Sequence, residues 1–378
     1  MEKKNKCNLV IINQSGNYMD SDVANEALKY YDQVVRMGIC KKTERPCHKQ
    51  VRYDKLIPFD KKSTIRRLWS WGFGSIQVFW KLLTRYRKWD ILYYTNPPMA
   101  CWSSLVLGNK FSIMEYDIYP DALVTIGIGR NNLISRFWRW ANCKLFSKAE
   151  RIFTLSDGMK ECLAQYGHEE KIKVIPVWAS STNFHQIGKN DNILLKQLGL
   201  QDKFIVLYSG NIGYTHSVEV IIEIAKTMKN VDDVHFLIIG EGKKKTDIEN
   251  EVKRTGLTNV SLLPYQPIDI LPYSLSSADL GVITLEENVA KVSVPSKTFN
   301  LLAVGAPLLA IANDQTEVYR LLSKYECGRC IPKDNIELMV EYIMKLKQDK
   351  DYEKLLSHNS IMASMDFTYE NAKQYFNE

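Results

Sequence analysis

The sequence predicts an α/β protein made of two doubly wound parallel-sheet domains in tandem, and three observations carry that expectation. The chain has 378 residues, more than one hydrophobic core normally serves. Short β-branched runs alternate with helical stretches along its length, the pattern of parallel sheets. Charge divides the halves: residues 1–180 hold 29 Lys and Arg against 17 Asp and Glu, and the remainder holds 21 against 26, so +12 and −5 make up the total of +7. Such a split suits domains that face different partners. A basic first half suits a membrane surface, nucleic acid or a phosphorylated substrate.

In the first half, strands are expected at Asn8–Ile12, Ile91–Thr95, Phe111–Glu115, Arg151–Leu155 and Ile172–Ile175. Helices are expected near Asp22–Arg36, Ser63–Lys88, Leu133–Phe146 and Asp157–Tyr166. The second half repeats the rhythm with strands Phe204–Tyr208, Val234–Ile239, Val260–Leu263, Leu280–Thr284 and Leu308–Ile311. Its helices fall near Val218–Met228, Lys243–Thr255, Lys297–Val304 and Asn335–Gln348. The polar, aperiodic segment Val177–Asn192 reads as the linker.

An apolar fraction of 45% and a charged fraction of 25% exclude a disordered, collagen-like or disulfide-scaffold chain. No stretch nears the roughly 18 apolar residues of a membrane span. The first apolar run, Leu9–Ile12, is too short for a signal-peptide core, so an intracellular protein is expected. Eight scattered cysteines agree. Cys327-Gly-Arg-Cys330 has no second pair or spaced histidines to complete a zinc site, and reads as two ordinary thiols.

Parallel sheets bind ligands at the carboxyl ends of their strands. Ser209-Gly210-Asn211-Ile212-Gly213 follows the first strand of the second half, where bare backbone N–H groups approach an anion. Gly240-Glu241-Gly242-Lys243 follows the second, adding a cation. Pro264-Tyr265-Gln266-Pro267 follows the third, offering a ring and an amide. A long loop after the fourth ends in Val294-Pro295-Ser296-Lys297 and enters a helix through Thr298 and Asn300, again a phosphate-binding combination. Each alone is usually a turn or a cap; four in order are informative.

With Ile239-Gly-Glu-Gly242, Leu263-Pro-Tyr-Gln-Pro267, Ser277-Ala-Asp-Leu280 and Leu302-Ala-Val-Gly-Ala-Pro307, this collinear set resembles the donor half of GT-B glycosyltransferases of family 4. The flavour is that of bacterial sugar transferases building surface polysaccharides on a lipid carrier. In the first half Asn96-Pro-Pro98, Asp117-Ile-Tyr-Pro-Asp121, Leu155-Ser-Asp-Gly-Met159 and Lys173-Val-Ile-Pro176 add to the resemblance. It implies two Rossmann-like domains around a cleft: 1–182 for the acceptor, with about 365–378 packing back on it, and 183–364 for the nucleotide sugar. It also implies retaining transfer with no cofactor and no required metal, a UDP-sugar first and a GDP-sugar second as donor, and a lipid-linked saccharide as acceptor. Asp20-Ser-Asp22 and Asp349-Lys-Asp351 follow no expected strand and read as solvated charges rather than a metal clamp.

The sequence departs from the family where its usual Arg falls at Asn211, its usual Lys near His216, and its usual Glu pair near Val292 and at Asn300. Asn300 still offers an amide for ribose hydroxyls. Phosphate charge then rests on Lys297, Lys243 and helix N-termini, with Glu286 and Glu287 as candidate sugar contacts. An epimerase of the same shape and a non-catalytic partner subunit are the competing functions; an oxidoreductase lacks the G-x-G-x-x-G fingerprint after either first strand.

In the first half, Asp117 follows a parallel strand end and is the candidate catalytic carboxylate, for the acceptor's proton or for oxocarbenium charge. Gly16 and Asn17, after the first strand, and Asn96 are acceptor-side candidates. Between Lys61 and Lys88 no acidic residue occurs, while Arg66, Arg67, Arg85 and Arg87 interleave with tryptophans. Ile65, Trp69, Phe73, Ile76, Trp80 and Leu83 follow helical steps. This composition, repeated at Arg136-Phe-Trp-Arg-Trp140, suits a helix in an anionic membrane interface; the alternatives are a core-facing stripe and a nucleic-acid groove. The resulting expectation is a cytoplasmic protein peripherally bound to the inner face of the cell membrane.

Overall fold

The computed structural model describes residues 7–39, 45–60, 62–121, 132–214, 216–285 and 295–377. They form two compact units, residues 1–176 with 369–378, and residues 177–368.

The first unit runs β1 (Asn8–Asn13), α1 (Tyr18–Ala27), β2 (Gln33–Gly38), β3 (Arg52–Lys55), α2 (Thr64–Thr84), β4 (Asp90–Tyr94), α3 (Ser103–Leu107), β5 (Phe111–Glu115), α4 (Leu133–Lys148), β6 (Ile152–Thr154), α5 (Asp157–Ala164) and β7 (Ile172–Val174). Its described strands are parallel and ordered β3-β2-β1-β4-β5-β6-β7. The order reverses between β1 and β4, so the loops after those two strands open onto the crevice where such sheets take ligands. Residues 369–377 lie on this sheet's unit: Phe376 stacks on Tyr30, and the Tyr375 ring packs tilted against Phe153.

The expected helix Asp22–Arg36 is half wrong. Asn17 and Asp20 form a capping box that starts α1 earlier, and α1 ends at Ala27. The β-branched pair Val34-Val35 then extends beside β1 in parallel register. That strand buries Arg36, and the charge is met by Asp20, 2.9 Å away and equally buried. Asp22 is buried too and holds Arg45 through two bonds of 2.8 Å. Asp20 and Asp22 are therefore structural ion-pair partners, a correction to their reading as solvated charges; Asp349 does cap a helix at the surface.

The second unit runs α6 (Ile193–Leu198), β8 (Phe204–Ser209), α7 (Val218–Thr227), β9 (Val234–Ile239), α8 (Lys245–Thr255), β10 (Val260–Leu263), α9 (Leu271–Leu275), β11 (Leu280–Thr284), α10 (Lys297–Ala303), β12 (Leu308–Ile311), α11 (Glu317–Tyr325), β13 (Gly328–Ile331), α12 (Ile336–Gln348) and α13 (Lys350–Ser364). Its described strands are parallel in the order β10-β9-β8-β11-β12-β13, reversing between β8 and β11. One core of β8, β9, α7 and α12 side chains supports them. The expected linker is part of this unit: Trp178 is fully buried and Ala179 donates to the Phe367 carbonyl at 3.1 Å.

Because the Arg36–Asp20 pair is closed off from water, removing one partner strands the other. Arg36→Met is expected to cost the fold about 3–5 kcal/mol, read by urea unfolding, and Asp20→Asn added to it should recover part of that loss. A cost within ordinary surface-mutation scatter would contradict the pairing.

Candidate functional site

In the second unit, the β8–β11 reversal determines which residues converge. The turn after β8 is pinned to the turn after β9: Gly210 N–H donates to the Ile239 carbonyl and Ile212 N–H to the Glu241 carbonyl, both at 2.9 Å. Gly242 permits this approach, since a Cβ there would strike the Ile212 carbonyl and reach Asn211 Oδ1 at 2.9 Å. The Asn211 amide lies between Gly213 and Gly242, its Nδ2 2.6 Å from where a Gly213 Cβ would stand. Of the expected donor residues, Gly210, Asn211, Gly213 and Gly242 are thus brought together.

Lys297, the first residue of α10, reaches into the same place. Its Nζ lies 4.1 Å from the centroid of the Tyr208 ring, and a Cβ on Gly210 would come within 3.4 Å of it. The nitrogen is shut off from solvent and has no hydrogen-bond partner among the described residues. Burial pushes the ammonium down to about 7. Next to it the Thr298 hydroxyl is also buried and unpartnered, whereas Ser296 is exposed and makes no capping bond. His216, where the family's Lys is expected, joins the two strand ends with Nδ1 3.0 Å from the Thr284 carbonyl.

Other expected donor residues are arranged differently. Asn300 spends its oxygen on Ser180, accepting from the backbone N–H at 2.9 Å and the hydroxyl at 3.3 Å. Lys243 is exposed, 6.0 Å from the Tyr214 ring centroid, and α8 begins after it. Tyr265 presents an open ring, and Gln266 bonds the Pro264 carbonyl of its own turn at 2.8 Å. Glu286, Glu287 and Val292 lie outside the described residues.

In the first unit the ends of β1, β4 and β5 are knitted together. Gln14 N–H donates to the Asn96 carbonyl at 2.6 Å, and Tyr116 and Asp117 N–H donate to Thr95 Oγ1 at 3.1 and 3.4 Å. Gly16 turns at φ +54°, a conformation that a side chain would strain and for which there is no room beside the Ile39 carbonyl. Asn17 caps α1 with its oxygen and offers Nδ2 to the Tyr116 hydroxyl at 3.3 Å. Asp117 is exposed just beyond β5.

Two residues escaped the sequence reading. Glu115, the last residue of β5, is buried, and burial together with the neighbouring Asp117 pushes its carboxyl up to about 8. Gln14 is wholly buried and donates Nε2 to the Ser70 carbonyl of α2 at 2.8 Å. Gly74 makes room for that contact, since a Cβ there would sit 2.5 Å from the Gln14 amide nitrogen. A Glu closing an apolar strand run was the available signal for the first; the second left none.

The aromatic stripe of α2 faces outward, not into the core. Trp69 and Trp80 are each 63% exposed, and Ile65, Phe73 and Ile76 accompany them, while Trp71 is buried. In α4, Phe137 and Trp140 are exposed and Trp138 buried. The inward Trp71 and Trp138 both pack on Tyr119, so the two helices flank one aromatic cluster. The surrounding cations are partly compensated: Asp54 takes Lys81 and Arg85, the latter at 3.7 Å, and Asp60 lies 3.6 Å from Arg66. The acid-free span thus borrows carboxylates from just before it; Arg87 is exposed and Arg67 partly buried. No described helix is long and apolar enough to cross a membrane.

Comparison with known proteins agrees with the fold. Residues 190–361 match the family model of glycosyl transferases group 1. The protein named as the colanic acid biosynthesis glycosyl transferase WcaI of Escherichia coli (strain K12) is 27% identical over 294 residues, 74% of this chain and 71% of its own. The glycosyltransferase WbjE of Pseudomonas aeruginosa is 25% identical over 289 residues, 73% of this chain and 72% of its own. Among solved structures, Anabaena HepE in complex with UDP and glucose superposes with a TM-score of 0.71 at 16% identity, covering 98% of both chains. WaaG, a glycosyltransferase involved in lipopolysaccharide biosynthesis, gives 0.69 at 12% identity over 98% of this chain and 100% of its own.

Glu115 makes the stability of the first unit depend on pH. The folded carboxyl keeps its proton up to about pH 8, whereas an unfolded one loses it near its ordinary value of about 4.3. Between those values the folded state binds more protons, so stability falls as pH rises, at up to about 1.4 kcal/mol per unit. Glu115→Gln should flatten this slope and raise the Tm above the parent's at pH 8.5. Parallel Tm curves from pH 5 to 8.5 would show that Glu115 is ionised in the fold.

Proposed function

We propose that this chain, whose residues 190–361 match the family model of glycosyl transferases group 1, moves a sugar from a nucleotide sugar to a hydroxyl of a lipid-diphosphate-linked saccharide. The transfer retains configuration at the anomeric carbon, needs no resident metal or other cofactor, and serves the assembly of a surface polysaccharide. The observation that carries the reading is the unpartnered nitrogen of Lys297 beside Gly210 at the β8–β11 reversal. A buried lysine nitrogen with no counter-charge among the described residues is suited to an incoming diphosphate, whose oxygens would accept its N–H bonds.

The donor is read as a UDP-sugar first and a GDP-sugar second; the support is a structural neighbour that binds UDP and glucose. Surface polysaccharide as the product class is supported by a relative named for colanic acid biosynthesis and a neighbour named for lipopolysaccharide biosynthesis. As the bond between the sugar and the diphosphate breaks, negative charge grows on the leaving phosphate, where Lys297 stabilises it. The new bond forms to the acceptor oxygen, whose proton passes to Asp117. Tyr265 offers its exposed ring to the base.

The acceptor's lipid is supported by the outward aromatics of α2 and α4. Tryptophan rings beside cations such as Arg66 and Arg87 suit the headgroup region of an anionic bilayer, which would hold the protein peripherally at the cytoplasmic face.

Asp117→Asn is expected to leave folding and donor binding intact while turnover drops by roughly 10²–10⁴-fold, measured as nucleoside diphosphate released in the presence of acceptor. Turnover near the parent's would remove Asp117 from the mechanism. Donor converted with no acceptor present would point to an epimerase.

Membrane docking is checked by cosedimentation with vesicles containing anionic phosphatidylglycerol, at low and high salt. Salt-sensitive pelleting is expected, and Trp69→Gln with Trp80→Gln should weaken it about tenfold or more. If the parent stays in the supernatant at low salt, a soluble acceptor replaces the lipid-linked one.

A further inference from the structure

Lys297 is held in a state that disfavours the charge its proposed ligand requires. An ammonium keeps its proton through hydration or counter-charges, and a buried one lacking both sheds it. Here Nζ has neither water-accessible surface nor a hydrogen-bond partner among the described residues. The Tyr208 ring covers one side at 4.1 Å, and the bare backbone of Gly210 lies on another, where a Cβ would come within 3.4 Å of the nitrogen.

Among the described residues, the groups around the nitrogen do not supply an anion. On β8, Tyr208 is pushed up by burial and stays a neutral phenol, donating its hydroxyl proton to the Asn211 carbonyl at 2.7 Å. On the turn after β8, Gly210 and Asn211 carry no ionisable group. On α10 itself, Thr298 adds a neutral hydroxyl. Glu286, Glu287 and Lys291 lie outside the described residues. Burial is accordingly the force that brings the lysine down to about 7.

We propose that the diphosphate of a nucleotide sugar binds with uptake of one proton from solvent, which comes to reside on Lys297 Nζ. This rests on the donor-site reading above. Above about pH 7 the empty site holds mainly an amine, and the filled site an ammonium whose N–H groups donate to phosphate oxygens. The proton goes to the protein, because a nucleotide-sugar diphosphate is esterified at both ends and has no group titrating near neutral pH. Binding is therefore level at acid pH, where the lysine is already charged. It weakens as pH rises through the free site's value, because each bound ligand must then also capture a proton. Mechanistically, the cation is complete only when a donor is present to use it.

Titration calorimetry of the full chain with UDP-glucose, GDP-mannose and ADP-glucose tests this at pH 6, 7 and 8. Each titration is run in two buffers of different ionisation enthalpy, so that proton uptake is counted directly. For the sugar nucleotide that binds, affinity should be roughly tenfold weaker at pH 8 than at pH 6, and uptake should climb from near zero toward about one proton. Lys297→Met should bind weakly with no pH dependence and no uptake. If that variant fails to fold, Lys297→Arg, charged at every pH used, should likewise show no uptake. Binding without uptake at pH 8, or uptake that survives in either variant, overturns the coupling while leaving the donor site standing. No heat from any of the three nucleotides overturns the donor-site reading itself, and the coupling with it.

Discussion

One buried lysine nitrogen, that of Lys297, organises the strand ends at the β8–β11 reversal. Lys297 Nζ, without a described partner, is costly to keep charged while the site is empty, and such a position persists only where the rest of the unit enforces it. The enforcement is topological. Reversal of strand order between β8 and β11 opens a crevice at the strand ends, glycines at 210 and 242 bring two backbone turns together there, and α10 enters with its first side chain pointed at the Tyr208 ring. In the proposed donor site that cost is recovered when the diphosphate arrives.

The first unit solves a different problem, the rigidity of three adjacent strand ends. Arg36 and Asp20 neutralise each other beneath the β1 turn, Thr95 holds the backbone that carries Asp117, and Gln14 links that region to α2 through the gap at Gly74. Helix α2 is consequently two-faced without being amphipathic in the ordinary sense. Trp71 faces the interior and Trp69 and Trp80 face out, so both faces are apolar and cations flank the outer one. The outward aromatics form an exposed apolar face of the kind that marks an interaction surface.

What the sequence revealed follows burial. Strands sheathed on both faces, such as Val234–Ile239 and Leu280–Thr284, are continuous apolar runs and were legible to the residue. The strand Gln33–Gly38 was not, because Arg36 interrupts its run and its neutralising Asp20 lies sixteen positions earlier, on another element. The edge strand Gly328–Ile331, with its exposed Arg329, gave too weak an apolar signal. The glycines of the turns after β8 and β9 were legible because the close approach of two backbone turns leaves glycine as its trace. The burial of Glu115 and the isolation of the Lys297 nitrogen were not, since both depend on what other strands place above them.

The central claim is that a nucleotide sugar binds the second unit at the β8 turn and Lys297. Hydrogen–deuterium exchange, with and without saturating nucleotide sugar, tests it most directly, because it reports which backbone the ligand covers. The expected result is slowed exchange confined to residues 209–214, 240–244 and 295–300, with the first unit's α2 and α4 unchanged. Protection centred on the first unit, with those three segments exchanging as before, would contradict it.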